Sequence, residues 1–198
     1  MSLTPEQIEE NWNKMLSFLQ KLGDRSAPAI NMVETLGERL ALCPASAKKD
    51  YHSAYPGGLV EHSLRVLGNV VKITGVFGWK IPKDSIIIGS LFHDLGKVGN
   101  HEADYYVPQT DSWRAEKLGE EYTFNKDLQY MSVPVRGIFL CQHFGLRLTE
   151  QETLAILLND GQYAKENASY ALKEPMLADV VHIADLISTK QEKGILPH

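Results

Sequence analysis

The sequence predicts a mostly α-helical single domain with one short β-hairpin-like excursion around residues 104–125. Apolar residues recur at helical spacing through most of the chain, whereas the stretch from 104 to 130 is aromatic and polar without that period. The chain has 198 residues, of which 43% are hydrophobic and 23% charged, which fits one compact core. We therefore expect one domain over residues 1–198.

The first two helices are predicted within residues 5–42. Thr4 can cap the first helix, with Pro5 at its first position. A second apolar stripe runs over 28–42 and ends at the Cys-Pro pair that follows. The motif-bearing core of the domain then occupies residues 44–190.

The same periodicity predicts the remaining helices, at about 59–75, 86–95, 135–143, 150–158 and 175–190. Asp84 or Ser85 can cap the helix over 86–95. Two short strands are predicted around 109–112, inside the aromatic stretch.

Four polar residues lie within apolar helical segments: His62, His93, Asp94 and Asp185. Each is a good ligand for a divalent metal and would be costly to bury alone. Adjacent helical residues point about 100° apart, yet His93 and Asp94 can both reach an ion between helices. His182 would face the same way as Asp185, so spacing alone leaves open which of the two is a ligand.

The order H…HD…D resembles the HD-domain metal-dependent phosphohydrolase superfamily, with Gly57 and Gly58 before the first histidine and Lys97 after the first aspartate. The segment KKDYHSAYPGGLVEHSLRV is similar to the start of the HD domain in 3′–5′ exoribonucleases and related phage and bacterial hydrolases. The blocks SLFHDLGKVG, FLCQHFG and EPMLADVVHIADLIST extend this likeness. The resemblance implies an HD-type helical bundle and one set of metal ligands: His62, His93, Asp94 and Asp185.

The cofactor expected from this donor set is one divalent transition metal ion per chain, either Fe, Mn, Co or Zn. Superfamily members with two metals use further histidines between the HD pair and the last aspartate. Apart from His182 beside the last aspartate, only His101 and His143 lie in that interval, and residues 128–132 contain no histidine. A single ion is therefore expected, and a second ion bound by these two histidines stays open.

Three residues are predicted to take part in catalysis: Asp94, Lys97 and His143. The ammonium group of Lys97 would hold a phosphate if it lies beside the ion, the alternative being a solvated surface charge. His143 could protonate the leaving group, because an imidazole titrates near neutral pH, or could simply end a helix before Gly145.

Substrate binding is predicted for Lys97 and for four further residues: His52, Tyr106, Trp113 and Arg114. His52 lies shortly before the paired glycines and could reach the pocket. Aromatic rings and a guanidinium can stack on a base and bind a phosphate. The alternative for the aromatic residues is that they fix a hairpin onto the domain.

The expected function is a metal-dependent phosphohydrolase acting on a nucleotide or another small phosphate ester, such as a mono- or triphosphate deoxynucleotide. One alternative is a phosphodiesterase or 3′–5′ nuclease acting on short single strands. A second alternative is a catalytically silent nucleotide-sensing domain.

Charge and composition limit the partners and the cellular compartment that we expect for the protein. The net charge of −5 gives no global basic field for a long nucleic acid, and no segment reads as a secretory signal or a membrane span. Cys43 and Cys141 form no CxxC pair, which fits a reduced compartment. We expect a cytoplasmic protein without a membrane partner, and a homo-oligomer through Trp12 or Trp79 stays open.

Overall fold

The computed structural model describes residues 2–197, which are mostly helical as predicted. Within that range the α-helices are α1 (Pro5–Leu19), α2 (Ser26–Ala41), α3 (Gly58–Phe77), α4 (Lys83–Phe92), α5 (Ser112–Leu118), α6 (Val133–His143), α7 (Glu150–Leu157) and α8 (Met176–Glu192). The strands β1 (Tyr106–Pro108) and β2 (Tyr122–Phe124) form one small antiparallel sheet. The predicted helical fold with a short hairpin is confirmed.

The two N-terminal helices begin close to where the sequence predicts them. The backbone N–H of Gln7 donates to the Thr4 hydroxyl, and the Gln7 side chain accepts from the N–H of Thr4, which makes a capping box at α1. In α2 the backbone at Gly37 leaves helical geometry, with φ of 50° and ψ of −130°. The helix bends at this residue, and glycine adopts such a positive φ without strain.

Helix α3 lies at the centre of the packing, in contact with α1, α4 and α8. Most of its residues are buried, as its nearly continuous apolar pattern predicts. It ends at Gly78, which adopts the left-handed conformation with φ of 67°. Because α3, α4 and α8 meet along this helix, the polar residues that they carry face one another.

Helix α4 differs from its prediction at both ends. It begins at Lys83 without a side-chain cap, so the predicted cap by Asp84 or Ser85 is wrong. Both side chains bind elsewhere, Asp84 to Arg25 and Ser85 to Glu152. The helix ends at Phe92, and a 3-10 turn over Leu95–Val98 replaces its predicted last turn.

The aromatic excursion contains a helix that the sequence analysis did not predict. Helix α5 begins where Asp111 accepts a hydrogen bond from the backbone N–H of Arg114, and it ends at Gly119, with φ of 62°. The strands predicted around 109–112 are therefore wrong in position. They lie on either side of α5, and Tyr106 pairs with Phe124 in their register.

No helix within residues 2–197 is long and apolar enough to cross a bilayer. Cys43 and Cys141 are buried free thiols. Trp12 and Trp79 are partly buried and pack against the core. A role for either tryptophan in an oligomer stays a prediction.

Candidate metal centre

Four predicted ligands converge where α3 and α8 meet the end of α4. The Nε2 atom of His62 lies 2.9 Å from Oδ1 of Asp185 and 4.0 Å from Oδ2 of Asp94. The Nε2 atom of His93 lies 3.5 Å from Oδ2 of Asp94 and 4.0 Å from Oδ1 of Asp185. We call these residues the four-residue cluster.

Three of the cluster's facing atoms are buried without a hydrogen-bond partner: Nε2 of His62, Nε2 of His93 and Oδ1 of Asp185. Although His62 and Asp185 approach closely, their geometry is not that of a hydrogen bond. Orphaned buried polar atoms are rare because each loses its hydration without compensation. Two nitrogen and two oxygen donors aimed at one point fit a divalent transition metal.

Each imidazole is oriented by a bond at its other nitrogen. With the proton on Nδ1, His62 donates to the Glu192 carboxylate at 3.0 and 3.2 Å, and His93 donates to the Ser90 carbonyl at 2.8 Å. Both Nε2 lone pairs then face the cluster, which is the usual arrangement around a metal-binding histidine. Arg65 in turn donates to Glu192 at 3.2 Å.

Glu192 is a functional candidate that the sequence analysis missed. It lies on α8 seven residues after Asp185, two turns along the same helix face. The sequence shows this spacing, but it does not show that α8 packs against α3 and brings Glu192 to His62.

The charges of the cluster shift the pKa values of its members. Burial lowers the pKa of His62, but the nearby carboxylates of Asp185 and Glu192, the second of which is hydrogen-bonded to Nδ1, outweigh burial and raise the pKa to about 10. Burial raises the pKa of Asp94, but Lys97 and His93 have the larger effect and hold the pKa well below its usual range. The pocket thus favours positive charge at His62, which a bound cation would supply in place of the proton.

Lys97 reaches the cluster because the 3-10 turn after Asp94 folds it back. Its Nζ lies 2.6 Å from Oδ2 of Asp94, and its side chain is 14% exposed. Burial lowers the pKa of Lys97, but Asp94 raises it above its ordinary value, so the ammonium stays charged. Asn159 also donates to Asp94, from Nδ2 to Oδ1 at 3.3 Å.

The structure separates the two candidates on α8. With its proton on Nδ1, His182 donates to the backbone carbonyl of Asn159 at 2.7 Å, while Asp185 faces His62 and His93. Geometry therefore joins Asp185 to the cluster, and His182 supports the loop that carries Asn159.

His52 lies against the cluster, on the far side of His62. The two ring centroids are 4.6 Å apart, and Nε2 of His52 is buried without a partner. Burial is the main cause that lowers the pKa of His52 to about 4, and the positive charges of the neighbouring His62 and Lys97 add to it. His52 also offers a ligand atom within 4.8 Å of those of His62 and Glu192.

The aromatic excursion brings only part of its predicted substrate-binding set towards the cluster. Tyr106 and Lys97 line one cavity of about 290 Å³. Trp113 is 60% exposed on α5, and Arg114 binds Glu120 at 2.7 and 3.1 Å. Arg114 is thus paired with Glu120, and a role for Trp113 and Arg114 in substrate binding stays a prediction.

His101 and His143 form a pair of their own. The rings of His101 and His143 stack at 4.3 Å and 24°. Within residues 2–197, neither histidine belongs to a group of three or more close metal-ligand atoms. A second ion at this pair and a proton transfer by His143 stay predictions.

Comparison with known proteins yields one partial relative. No known family model matches the chain, and no solved structure matches it. The chain is 34% identical over 102 residues to the dihydroneopterin 2′,3′-cyclic phosphate phosphodiesterase of Methanocaldococcus jannaschii, a match that covers 48% of this chain and 39% of the relative. The chain thus spans about two fifths of that curated relative's length.

Proposed function

We propose that this protein is an HD-type, metal-dependent phosphohydrolase that acts on a small phosphate ester. One observation carries the proposal: two imidazole nitrogens and one carboxylate oxygen, from α3, the end of α4 and α8, converge in a buried site and lack hydrogen-bond partners there. The similarity to a phosphodiesterase of a small phosphate ester supports the reaction class. The donor set suits one Fe, Mn, Co or Zn ion.

The roles of the residues follow from their positions. His62, His93, Asp94 and Asp185 would hold the ion, which supplies a water of lowered pKa and polarises the phosphoryl oxygens. Lys97 stays charged beside Asp94 and offers hydrogen-bond donors to a phosphate oxygen as negative charge develops. Glu192 and Ser90 fix the orientation of the two imidazoles.

A nucleotide is our first candidate substrate, as a mono- or triphosphate deoxynucleotide, because of the superfamily resemblance. The second candidate is a phosphodiester of a small molecule, which the relative's cyclic phosphate substrate favours. A 3′–5′ nuclease on short single strands receives less support from a chain of net charge −5. The presence of Lys97 beside the full set of candidate ligands speaks against a silent nucleotide-sensing domain.

The test combines metal analysis with substrate turnover on the same samples. Wild type is compared with Asp94→Asn and with the control Asp127→Asn, an exposed carboxylate. The substrates are deoxynucleoside mono- and triphosphates, 2′,3′-cyclic nucleotides and short single-stranded oligonucleotides. We expect about one transition metal ion per chain and phosphate-ester cleavage, both lost in Asp94→Asn and kept in the control.

Three other outcomes would contradict the metal centre or favour an alternative function. Absence of bound metal in wild type after reconstitution contradicts the metal centre. Nucleotide binding by metal-loaded protein, without turnover on any substrate, favours the sensing domain. Cleavage of oligonucleotides alone favours the nuclease.

A further inference from the structure

We propose that the cavity beside Lys97 binds the neutral, planar heterocycle of the substrate's alcohol portion, as in a nucleoside-like ester. The cavity has a volume of about 290 Å³ and is lined by Leu42, Pro44, Tyr106, Tyr122, Arg39 and Lys97, among others. We call it the two-tyrosine cavity. The inference rests on the proposed function, because it names the substrate class of that same site.

Lys97 belongs both to the lining of the two-tyrosine cavity and to the surroundings of the four-residue cluster. Lys97 lines the cavity, and its Nζ lies 2.6 Å from Oδ2 of Asp94. The backbone at Lys97 is also fixed, since its carbonyl accepts from Sγ of Cys43 at 3.4 Å. A ligand in the cavity would therefore place a phosphate attached to it at Lys97.

The charges in the cavity wall compensate one another. The guanidinium of Arg39 binds Oδ1 of Asp104 at 2.6 Å and also donates to two backbone carbonyls, and Lys97 is paired with Asp94. Glu38 adds a further carboxylate to the lining. Since no cation there lacks a counter-charge, the cavity favours a neutral polar group over a second phosphate.

The residues that line the cavity suit an aromatic ring. Tyr106 and Tyr122 come from the two paired strands and share one face of the hairpin, with ring centroids 6.3 Å apart. Leu42 and Pro44 add an apolar wall, while the carboxylates and the guanidinium can bind ring edges. Aromatic side chains bind bases by stacking.

The size of the cavity limits what it can hold. Ligand pockets usually measure about 300–1,000 Å³, and this one lies at the lower end. It can take one ring system rather than successive bases of a strand. The cavity therefore favours a mononucleoside-like ester over an oligonucleotide.

The test measures equilibrium binding to metal-loaded protein by calorimetry, with a non-hydrolysable phosphonate analogue in place of each of the two esters named next. A nucleoside monophosphate is compared with ribose 5-phosphate, which carries the phosphate but not the ring. Tyr122→Leu removes the aromatic face and keeps bulk, Tyr122→Phe keeps the face, and Tyr130→Leu is a matched control at a tyrosine that is 85% exposed. Circular dichroism checks that each variant is folded.

We expect Tyr122→Leu to weaken nucleoside monophosphate binding by about fivefold to a hundredfold, as for loss of one stacked base. The preference over ribose 5-phosphate should fall by the same factor, and Tyr122→Phe and Tyr130→Leu should keep it. If Tyr122→Leu does not fold, Leu42→Arg supplies the second test, because it fills the cavity from a residue that is 40% exposed. It should cause the same selective loss.

Two results would overturn the inference: an unchanged preference in Tyr122→Leu and in Leu42→Arg, or a wild type that binds the two phosphates equally. Failure of the proposed function would give a different result from failure of this inference. In that case selective binding of the nucleoside monophosphate persists, but no ester is cleaved.

Discussion

Two groups of buried charges in this protein solve the same physical problem in different ways. The Glu152 carboxylate, whose side chain has no exposed surface, accepts from Nη1 of Arg25 at 2.7 Å, from the Ser85 hydroxyl at 2.7 Å and from the Thr149 N–H at 2.9 Å. Every charge in this group has a partner within the chain. We call it the Glu152 network.

The four-residue cluster is buried to a similar extent but lacks such partners at its centre. His62 and His93 are tied at Nδ1, while their Nε2 atoms and Oδ1 of Asp185 are left unbonded. Because unsatisfied buried polar atoms destabilise a fold, their concentration at one point indicates a ligand. Hydrogen-bond satisfaction, rather than burial of charge, therefore distinguishes the candidate metal centre from the Glu152 network.

The largest effect is expected for Asp185→Asn. The substitution removes a negatively charged metal donor from the cluster, so we expect loss of bound metal. Activity should fall by more than about a hundredfold, which exceeds the loss usual for a residue that only orients a ligand. Metal content by elemental analysis and phosphate-ester turnover measure this. Full metal occupancy in the variant would remove Asp185 from the ligand set.

Glu152→Gln should have the opposite profile. We expect the free energy of unfolding to fall by about 3 kcal/mol, near the lower end for breaking a buried pair, because Arg25 keeps Asp84 as a partner. Metal content should not change. Urea unfolding measures the effect, and Glu121→Gln is the control, since its pair with Lys49 is exposed and should contribute little. Loss of metal in Glu152→Gln would contradict the separation of the two groups.

Glu192→Gln is expected to have an intermediate effect at the cluster. The glutamine can still accept from Nδ1 of His62 but no longer supports it with a charge, so metal affinity should fall about 10- to 100-fold. Competition with a chromophoric chelator measures the affinity. The exposed Glu116→Gln on α5 is the control, and an unchanged affinity in Glu192→Gln would show that Glu192 does not tune the ion.

The smallest effect is the pH dependence of the Glu152 network. Burial raises the pKa of Glu152, but hydrogen bonds from Arg25, Thr149 and Ser85 outweigh it and hold the pKa below its ordinary value of 4.5. A lowered native-state pKa contributes stability above that ordinary value, which is lost as the pH falls through the native-state pKa. The stability difference between wild type and Glu152→Gln should therefore stay constant above about pH 5 and shrink below it. Urea unfolding at several pH values would reveal a pH-independent difference if this is wrong.

Local signals predicted the parts of the fold that depend on neighbours along the chain. The Thr4 and Pro5 start of α1 and the apolar pattern of α3 required only helical spacing and capping chemistry. The helix α5 was missed because its short sequence has no buried stripe to mark it. The cap predicted at Asp84 is wrong because α4 begins at Lys83, which places Asp84 inside the first turn, where its side chain binds the distant Arg25.

The sequence by itself determined the helical class and the residue types that can hold a metal, because periodicity and ligand chemistry are local properties. Only the tertiary structure placed Asp185 opposite His62 and His93 and turned His182 away to Asn159, a contact that joins residues 23 positions apart. It likewise brought Glu192 to His62 across 130 positions and folded Lys97 onto Asp94. Helix packing sets such distances, and no spacing along one helix encodes them.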